Sequence, residues 1–395
     1  MKKDLIFITD NYPFGKGESF IENEIRYLAE NFKNIYIISK NQKDVQTREV
    51  PKNCKVYRIK KTLKKLITLY FDKIYLIDLF SEFKFSDLKK LVSFQFYGKL
   101  IENKVNEIIR ENSLEKDKIL VYSYWFYTGA YAGSVLKRKN KIDKFISRAH
   151  GYDLYLERGY QPLKKNILKS IDFLYPCSKL GENYLKNLYL KKNIESSYLG
   201  TINKNLFNEK KKSEKLKIVS CSNLLKLKRV NLIIETLSVI EKKYSNIEWI
   251  HFGDGEERYY LEELSKNKLK QIKFIFKGQV SNKQVMEYYR LNNVSFFIHL
   301  SSTEGLPVSM MEAQSFGIPI IATNVGGVSE IVNEKTGILL SDHPKIEEIV
   351  EAIEKMINLD ESKYNEYRKN SYLNWKENFN AEKNYKNFIS EILKI

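Results

Sequence analysis

Short apolar runs alternate with longer amphipathic stretches along the whole chain of 395 residues. The apolar runs have the length of buried strands, and the amphipathic stretches have the periodicity of helices that cover a sheet. Strands that alternate with helices in this way form parallel sheets with helices on both faces. The pattern therefore predicts an α/β protein built from repeated βα units.

The predicted strands fall into two groups, each large enough for one doubly wound domain. The first group is 5–9, 35–39, 55–59, 119–124, 145–149, 173–177 and 196–199, and the second is 217–221, 248–253, 273–277, 295–300, 319–323 and 337–340. A polar stretch at 203–216 separates them, as is typical of a linker. We predict a first domain at 1–203, a second at 204–375, and a C-terminal helix at 376–395 that can return to the first domain.

Basic residues are concentrated in the first half of the chain. Residues 1–200 hold 38 Lys and Arg against 23 Asp and Glu, a net +15, whereas residues 201–395 hold 29 against 26, a net +3. An anionic bilayer, a phosphate-bearing acceptor or a Lys-rich composition without function would each explain this asymmetry. No zinc-finger, RNA-recognition or basic-zipper pattern accompanies the charge, so we expect no nucleic-acid partner.

One stretch combines lysines with aromatic and aliphatic side chains. Between Lys60 and Phe80, five lysines alternate with residues such as Leu66, Tyr70 and Phe71. Such a helix can lie in a membrane interface. It can equally pack its apolar stripe on the sheet and leave the lysines in water, and both interpretations stay open.

The chain shows no leader or membrane-spanning pattern. Residues 1–10 lack the apolar core of a signal peptide, and no run reaches the roughly 18 apolar residues of a spanning helix. We therefore expect a cytoplasmic protein that binds the inner face of the cell membrane peripherally, if at all. Cys54, Cys177 and Cys221 lie far apart and have neither disulfide nor metal-ligand spacing.

Residues 301–330 carry the densest candidate chemistry. Glu304 falls in the loop after a predicted strand, and Glu312 falls inside the next helix, which begins near Pro307. The junction presents free amides to an anion such as a diphosphate. Two glutamates near a helix start are also favoured by the helix dipole alone, so that simpler interpretation stays open. The amides that we expect at the diphosphate are those around Gly305, Leu306 and Val308.

The motifs together identify a family. The chain resembles the family-4 retaining glycosyltransferases of GT-B architecture, in particular those of bacterial capsule, exopolysaccharide and O-antigen synthesis. Glu304 and Glu312 match their E-x7-E motif. The other matching segments are 12–25, 148–155, 221–230, 252–258, 316–323, 325–332 and 337–340. The resemblance implies two Rossmann-like domains that face a central cleft.

The resemblance also implies roles for basic and acidic residues of the second domain. Lys228 matches the lysine that neutralises the donor diphosphate, a contact that stabilises the leaving group. The family pairs it with an arginine where this chain has Asn223, and neighbouring Arg229 is a candidate substitute. Glu304 is expected at the sugar and Glu312 at the ribose. Gln279 and Val280 match the region that reads the nucleobase.

In the first domain, the resemblance places His150 near the reacting carbon and Asp153 on the acceptor side. Gly15 and Gly17 form a turn at the end of the first strand that lets backbone approach the phosphate or the acceptor, although this glycine pattern alone is unspecific. Tyr124 and Trp125 are candidates for stacking on the acceptor sugar, with core packing as the alternative. Two other histidines, His251 and His299, fall inside strand patterns and are interpreted as packed core residues.

We therefore predict metal-independent, retaining transfer of a hexose-type sugar from a UDP- or GDP-sugar to a lipid-linked bacterial surface polysaccharide or glycoconjugate. The nucleotide sugar is the co-substrate and no bound cofactor is expected, because no D-x-D motif or His/Asp/Glu cluster has metal-ligand spacing. The acceptor is a glycan or a polyprenyl-diphosphate-linked glycan. The alternatives are a GT-B epimerase acting on a UDP-sugar and a basic nucleic-acid-binding protein.

Overall fold

The computed structural model describes residues 2–59 except 16 and 43, then 72–81, 85–190, 193–204, 207, 213 and 215–395. The chain divides into two units, one formed by Met1–Tyr198 with Tyr385–Ile395 and the other by Leu199–Asn384. Each unit is built on one six-stranded parallel sheet.

The first sheet has the strand order β3-β2-β1-β4-β5-β6. Its chain reverses direction across the sheet between β1 and β4, and open α/β sheets bind ligands at the carboxyl ends of the strands at this point. The strands are β1 Asp4–Thr9, β2 Ile35–Ser39, β3 Cys54–Arg58, β4 Ile119–Ser123, β5 Lys144–Ala149 and β6 Phe173–Pro176.

Helices cover both faces of the first sheet. The described helices of at least four residues are α1 Ile21–Asn31, α2 Lys73–Ser81, α3 Leu88–Glu111, α4 Thr128–Arg138, α5 Gly151–Leu154, α6 Lys164–Ser170 and α7 Lys179–Tyr189. The end of the chain adds one more helix to this unit, because Phe388, Ile389 and Ile392 are buried in the same cluster as Leu5 and Phe7.

The second sheet repeats the same topology with the order β12-β11-β10-β7-β8-β9. Its strands are β7 Leu216–Cys221, β8 Ile247–Phe252, β9 Lys273–Phe276, β10 Phe296–His299, β11 Ile320–Thr323 and β12 Gly337–Leu340. Its helices are α8 Val230–Ile240, α9 Arg258–Lys268, α10 Asn282–Leu291, α11 Val308–Gln314, α12 Val328–Ile331, α13 Ile346–Ile357 and α14 Glu361–Asn374. A π-helical turn then leads into α15 Ala381–Ile392, the helix whose end belongs to the first unit.

The predicted α/β fold is confirmed, and one predicted strand, 196–199, is wrong. The residues just before it join β6 through the isolated bridge between Leu174 and Ile194, and the Ser197 N–H donates to the Pro176 carbonyl at 2.8 Å, but residues 196–199 form no regular ladder. Side chains take two of the segment's other backbone groups, since Glu182 accepts from the Ser196 N–H at 2.8 Å and Arg148 donates to the Ser197 carbonyl at 2.8 Å. Most of the predicted basic-aromatic stretch, 60–71, lies outside the described residues.

Candidate active site

The loop after β10 holds a carboxylate between two basic side chains. Glu304 is almost buried, at 9 % exposed. Its Oε1 lies 2.5 Å from Lys228 Nζ and 2.7 Å from His299 Nε2. Burial alone would raise the pKa of Glu304, but His299 and Lys228 outweigh it and hold that pKa well below its usual range. The carboxylate is therefore ionised and fixes the position of the Lys228 ammonium.

His299 lies in β10 and is buried, as its strand pattern predicted, but it also contacts the candidate site. The residue is buried, yet its ring stands at the carboxyl end of β10 and turns toward the loop. A carboxylate only accepts hydrogen bonds, so His299 Nε2 carries a hydrogen and donates it in a hydrogen bond to Glu304. Ser301 Oγ lies 2.9 Å from the same nitrogen. A histidine that ends a strand five residues before a motif glutamate was the available clue.

A glycine pair in the loop after β11 supports this carboxylate loop. The Gly327 N–H donates to the Gly305 carbonyl at 2.7 Å. Gly326 has φ +55°, and a Cβ atom there would lie 2.1 Å from the Glu304 carbonyl oxygen. Only glycine permits so close an approach in this conformation. The two loops are therefore packed directly against each other at this edge of the sheet.

Glu312 lies on α11 and is half-buried. Its Oε1 accepts from Asn282 Nδ2 at 2.5 Å. Burial raises the pKa of Glu312 to about 7, and Asn282 only partly offsets that rise. The second glutamate of the motif is thus poised to change its charge near neutral pH, whereas the first stays ionised.

Arg229 holds together three loops of the second unit. Its guanidinium donates to the carbonyls of Leu300 at 2.6 Å, Ser301 at 2.7 Å and Asp342 at 3.0 Å. These bonds tie the Lys226–Lys228 turn to the loops after β10 and β12. Arg229 thus braces the turn that carries Lys228, and its expected contact with phosphate stays a prediction. Asn223 is exposed in the loop after β7.

The remaining predicted donor residues lie in loops at the carboxyl ends of the second sheet. Gln279 is exposed and Val280 half-buried after β9. Gly305 and Val308 are half-buried, and Leu306 is buried, around the start of α11. Their contacts with a nucleobase or diphosphate stay predictions.

In the first unit, His150 lies between β5 and α5 and caps the start of that short helix. Its ring stacks on Tyr124 at 4.8 Å and lies 4.7 Å from the Trp125 ring. Nε2 donates to the Tyr124 carbonyl at 3.2 Å. Burial, assisted by Arg148, lowers the pKa of His150 to about 3. The imidazole is therefore neutral at physiological pH and acts as a hydrogen-bonding group, not as a cation.

Two predicted acceptor-side residues are fully buried in the first unit, and their roles toward an acceptor stay predictions. Asp153 is fully buried, and its carboxylate accepts from the backbone N–H of His150 at 2.6 Å and of Phe126 at 2.5 Å. Burial raises the pKa of Asp153 and lowers that of Lys164, whose ammonium donates to the Phe126 and Asp153 carbonyls. Tyr124 is also fully buried. Asp153 and Tyr124 therefore position the His150 loop, whereas Trp125 is half-buried.

The carboxylate of Glu18 fills the turn after β1. Glu18 accepts from the N–H groups of Asp10 at 3.0 Å and of Asn11 and Tyr12 at 2.5 Å, and from the Trp125 indole. The Gly15 N–H donates to the Val45 carbonyl at 3.2 Å.

Glu18 therefore takes the amides of residues 10–12, and the donor-binding roles of Gly15 and Gly17 stay predictions. The Gly17 carbonyl accepts from Arg48 at 2.7 Å. Glu18 lies within the matching segment 12–25, but the sequence gave no signal of this role. Among the described residues, no three His, Cys, Asp or Glu side chains come together as a metal site.

Residues 201–374, most of the second unit, match the family model described as "Glycosyl transferases group 1". The chain is similar to the group 1 glycosyltransferases. An uncharacterized glycosyltransferase of Haemophilus influenzae is 30% identical over 184 residues, which cover 44% of this chain and 49% of that protein. The chain spans about half of that relative's length and about a third of the next ones.

Two solved structures show the same fold over essentially the whole chain. Alr3699/HepE of Anabaena, in complex with UDP and glucose, has a TM-score of 0.69 at 14% identity and covers 100% of both chains. The lipopolysaccharide outer core galactosyltransferase WaaB has a TM-score of 0.71 at 16% identity and covers 99% of each. The fold of this chain is therefore that of GT-B glycosyltransferases.

Proposed function

We propose that this protein is a retaining glycosyltransferase that moves a hexose-type sugar from a UDP- or GDP-sugar to a lipid-linked bacterial glycan. The observation that carries the proposal is the Lys228–Glu304–His299 cluster at the carboxyl edge of the second sheet, with Glu312 on the following helix. This edge is where α/β sheets bind their ligands. The UDP-bound relative of the same fold supports a nucleotide-sugar donor.

We assign a part in this reaction to the four second-unit side chains of this site. Lys228 meets the diphosphate and stabilises the negative charge that develops as the bond from the anomeric carbon to the phosphate oxygen breaks. Glu304 and His299 hold that ammonium in place and offer polar atoms to the sugar. Glu312 accepts hydrogen bonds from the ribose hydroxyls.

In the proposed step, the acceptor oxygen bonds to the anomeric carbon on the face from which the diphosphate departs, and the acceptor proton passes to a departing phosphate oxygen. This route requires neither a nucleophilic carboxylate nor a cofactor. The acceptor is proposed to be a polyprenyl-diphosphate-linked glycan at an anionic membrane, in keeping with the WaaB relative of lipopolysaccharide synthesis.

The test is incubation with UDP- and GDP-hexoses and a polyprenyl-diphosphate-linked glycan, followed by mass spectrometry and NMR of the product. We expect one added hexose with the anomeric configuration of the donor. Lys228→Met should abolish transfer, whereas Lys226→Met, on the exposed side of the same turn, should retain it.

An added hexose of inverted configuration would refute retention. An epimerised nucleotide sugar formed without acceptor would instead identify an epimerase. Tight, salt-sensitive duplex binding without any sugar chemistry would favour the nucleic-acid alternative.

A further inference from the structure

Helix α2 turns three large apolar side chains to solvent. Ile77 and Phe80 are 55% and 69% exposed, and Leu76 is also exposed. Its opposite side is closed, since Tyr75 and Asp78 are each 1% exposed. Exposed apolar patches of this kind mark interaction sites.

The orientation of α2 is fixed by hydrogen bonds to the buried side of the helix. Both carboxylate oxygens of Asp78 accept from the Arg138 guanidinium, at 2.9 and 2.6 Å. Tyr131 Oη donates to the same carboxylate at 2.9 Å, and Asn166 Nδ2 donates at 2.6 Å. The helix cannot roll its apolar face inward without breaking these buried bonds. The buried hydrogen bonds therefore hold the apolar side chains of α2 in contact with solvent.

A groove of about 640 Å³ lies on the neighbouring helices α6 and α7. Its walls include Leu168 and Leu188, and Lys165 and Lys169 are exposed at its rim. Helix α6 links the groove to α2, because Asn166 of the same helix donates to Asp78.

Leu190 closes the end of the groove in an unusual conformation. It ends α7 with φ +49° and is 89% exposed. Glycine or asparagine ordinarily takes this left-handed position after a helix, because a side chain is strained there. An exposed leucine gains nothing from such a position unless a partner covers it.

The residue types favour a lipid surface over a protein partner. Protein interfaces are depleted of lysine, and their hot spots are Trp, Tyr and Arg with few leucines. Membrane-binding surfaces combine Leu and Phe with Lys. Phe85, 87% exposed and followed by the exposed Lys89 and Lys90, extends this composition. The net +15 of residues 1–200 also attracts an anionic surface.

We propose that the outer side of α2, with Phe85 and the groove rim, docks on an anionic bilayer. We call this surface the docking face, defined by Ile77, Phe80, Phe85, Lys165, Lys169 and Leu190. The apolar side chains enter the acyl boundary and the lysines meet lipid phosphates. The inference goes beyond the proposed function, because it names a second surface of the first unit and does not depend on the donor chemistry.

Sedimentation of the full chain with phosphatidylglycerol/phosphatidylcholine vesicles tests the docking face. Phe80→Ser with Phe85→Ser should weaken binding by more than about tenfold, since the apolar area then stays in water. Lys165→Gln with Lys169→Gln should weaken it by about 30-fold at low salt. Pure phosphatidylcholine vesicles should bind the native protein weakly, and added salt should release it.

Matched control variants carry the same changes on the second unit. Tyr259→Ser with Leu291→Ser removes two exposed apolar side chains there, and Lys268→Gln with Lys335→Gln removes two exposed lysines. Both controls should bind vesicles as the native protein does. Thermal unfolding of every variant shows whether it is folded.

Native protein that ignores phosphatidylglycerol vesicles at low salt would overturn the inference, and so would docking-face variants that bind like the controls. Variants that change the oligomeric state but not vesicle binding would show that a second copy covers this face, which also overturns it. Vesicle binding without any stabilisation by nucleotides would count against the proposed function and leave the docking face intact.

Discussion

Glu312 should make nucleotide binding depend on pH. A carboxylate that accepts hydrogen bonds from ribose hydroxyls acts in its ionised form, and burial raises the pKa of Glu312 to about 7. At pH 6 about a tenth of this carboxyl is ionised in the free protein, and at pH 8 about nine-tenths. The affinity for a UDP- or GDP-sugar should therefore rise about tenfold from pH 6 to pH 8, about 1.4 kcal/mol, and level off above that. Because binding favours the ionised form, the bound ligand should lower the pKa of Glu312.

Isothermal titration calorimetry across this range measures the effect. The Glu312→Gln variant is the control, because it keeps every other titrating group of the protein and the ligand. It should bind about 10- to 100-fold more weakly at pH 8, as expected for the loss of a charge-assisted hydrogen bond. Its pH profile should also be flat by comparison. A variant that retains the tenfold rise would refute the assignment of this rise to Glu312.

Three further predictions concern the remaining site residues. Glu304→Gln should lower kcat by about 100-fold or more, with less effect on UDP or GDP affinity than Glu312→Gln, because it releases Lys228 rather than the ribose; steady-state kinetics beside calorimetry would contradict this if both variants lost nucleotide affinity equally. Transfer should survive EDTA, since Lys228 supplies the positive charge at the diphosphate; activity lost on chelation and restored by manganese would disprove it. Trp125→Phe should lower kcat about tenfold with an unchanged donor KM, and Glu18→Gln should lower it at least as much, because Glu18 also accepts from three backbone N–H groups. The double variant should be no worse than Glu18→Gln alone, because the carboxylate and the indole share one hydrogen bond that sets the ring beside His150; fully additive losses would show that they act separately.

Much of the fold was predictable from the sequence, because a strand that is buried on both faces consists mainly of apolar residues. Strands such as β2 and β4 are buried along their whole length and therefore read as uninterrupted apolar runs. The segment 196–199 has the same local character but forms no regular ladder, and Glu182 and Arg148 take two of its backbone groups. Those competitors are distant in sequence and leave no mark on the local pattern.

The candidate site was predicted in part. The motif located Lys228, Glu304 and Glu312, and their roles toward the donor stay predictions. The uses of Arg229, Asp153 and Glu18 were not visible, because each depends on which backbone groups the fold places within reach of the side chain. His299 is buried as predicted, but its contact with Glu304 was not visible in the sequence, because a strand end can be both buried and beside a loop.

Nucleotide-dependent stabilisation of the second-unit site tests the central claim most directly. Thermal unfolding should be measured with UDP, GDP and their common hexose conjugates, for the native protein and for Lys228→Met, Glu312→Gln and the Lys226→Met control. One nucleotide at about 100 times its Kd should stabilise the native and control proteins by about 2.7 kcal/mol. The same ligand should have much less effect on the Lys228 and Glu312 variants. Failure of every nucleotide to raise the Tm, or equal stabilisation of all four proteins, would contradict the account.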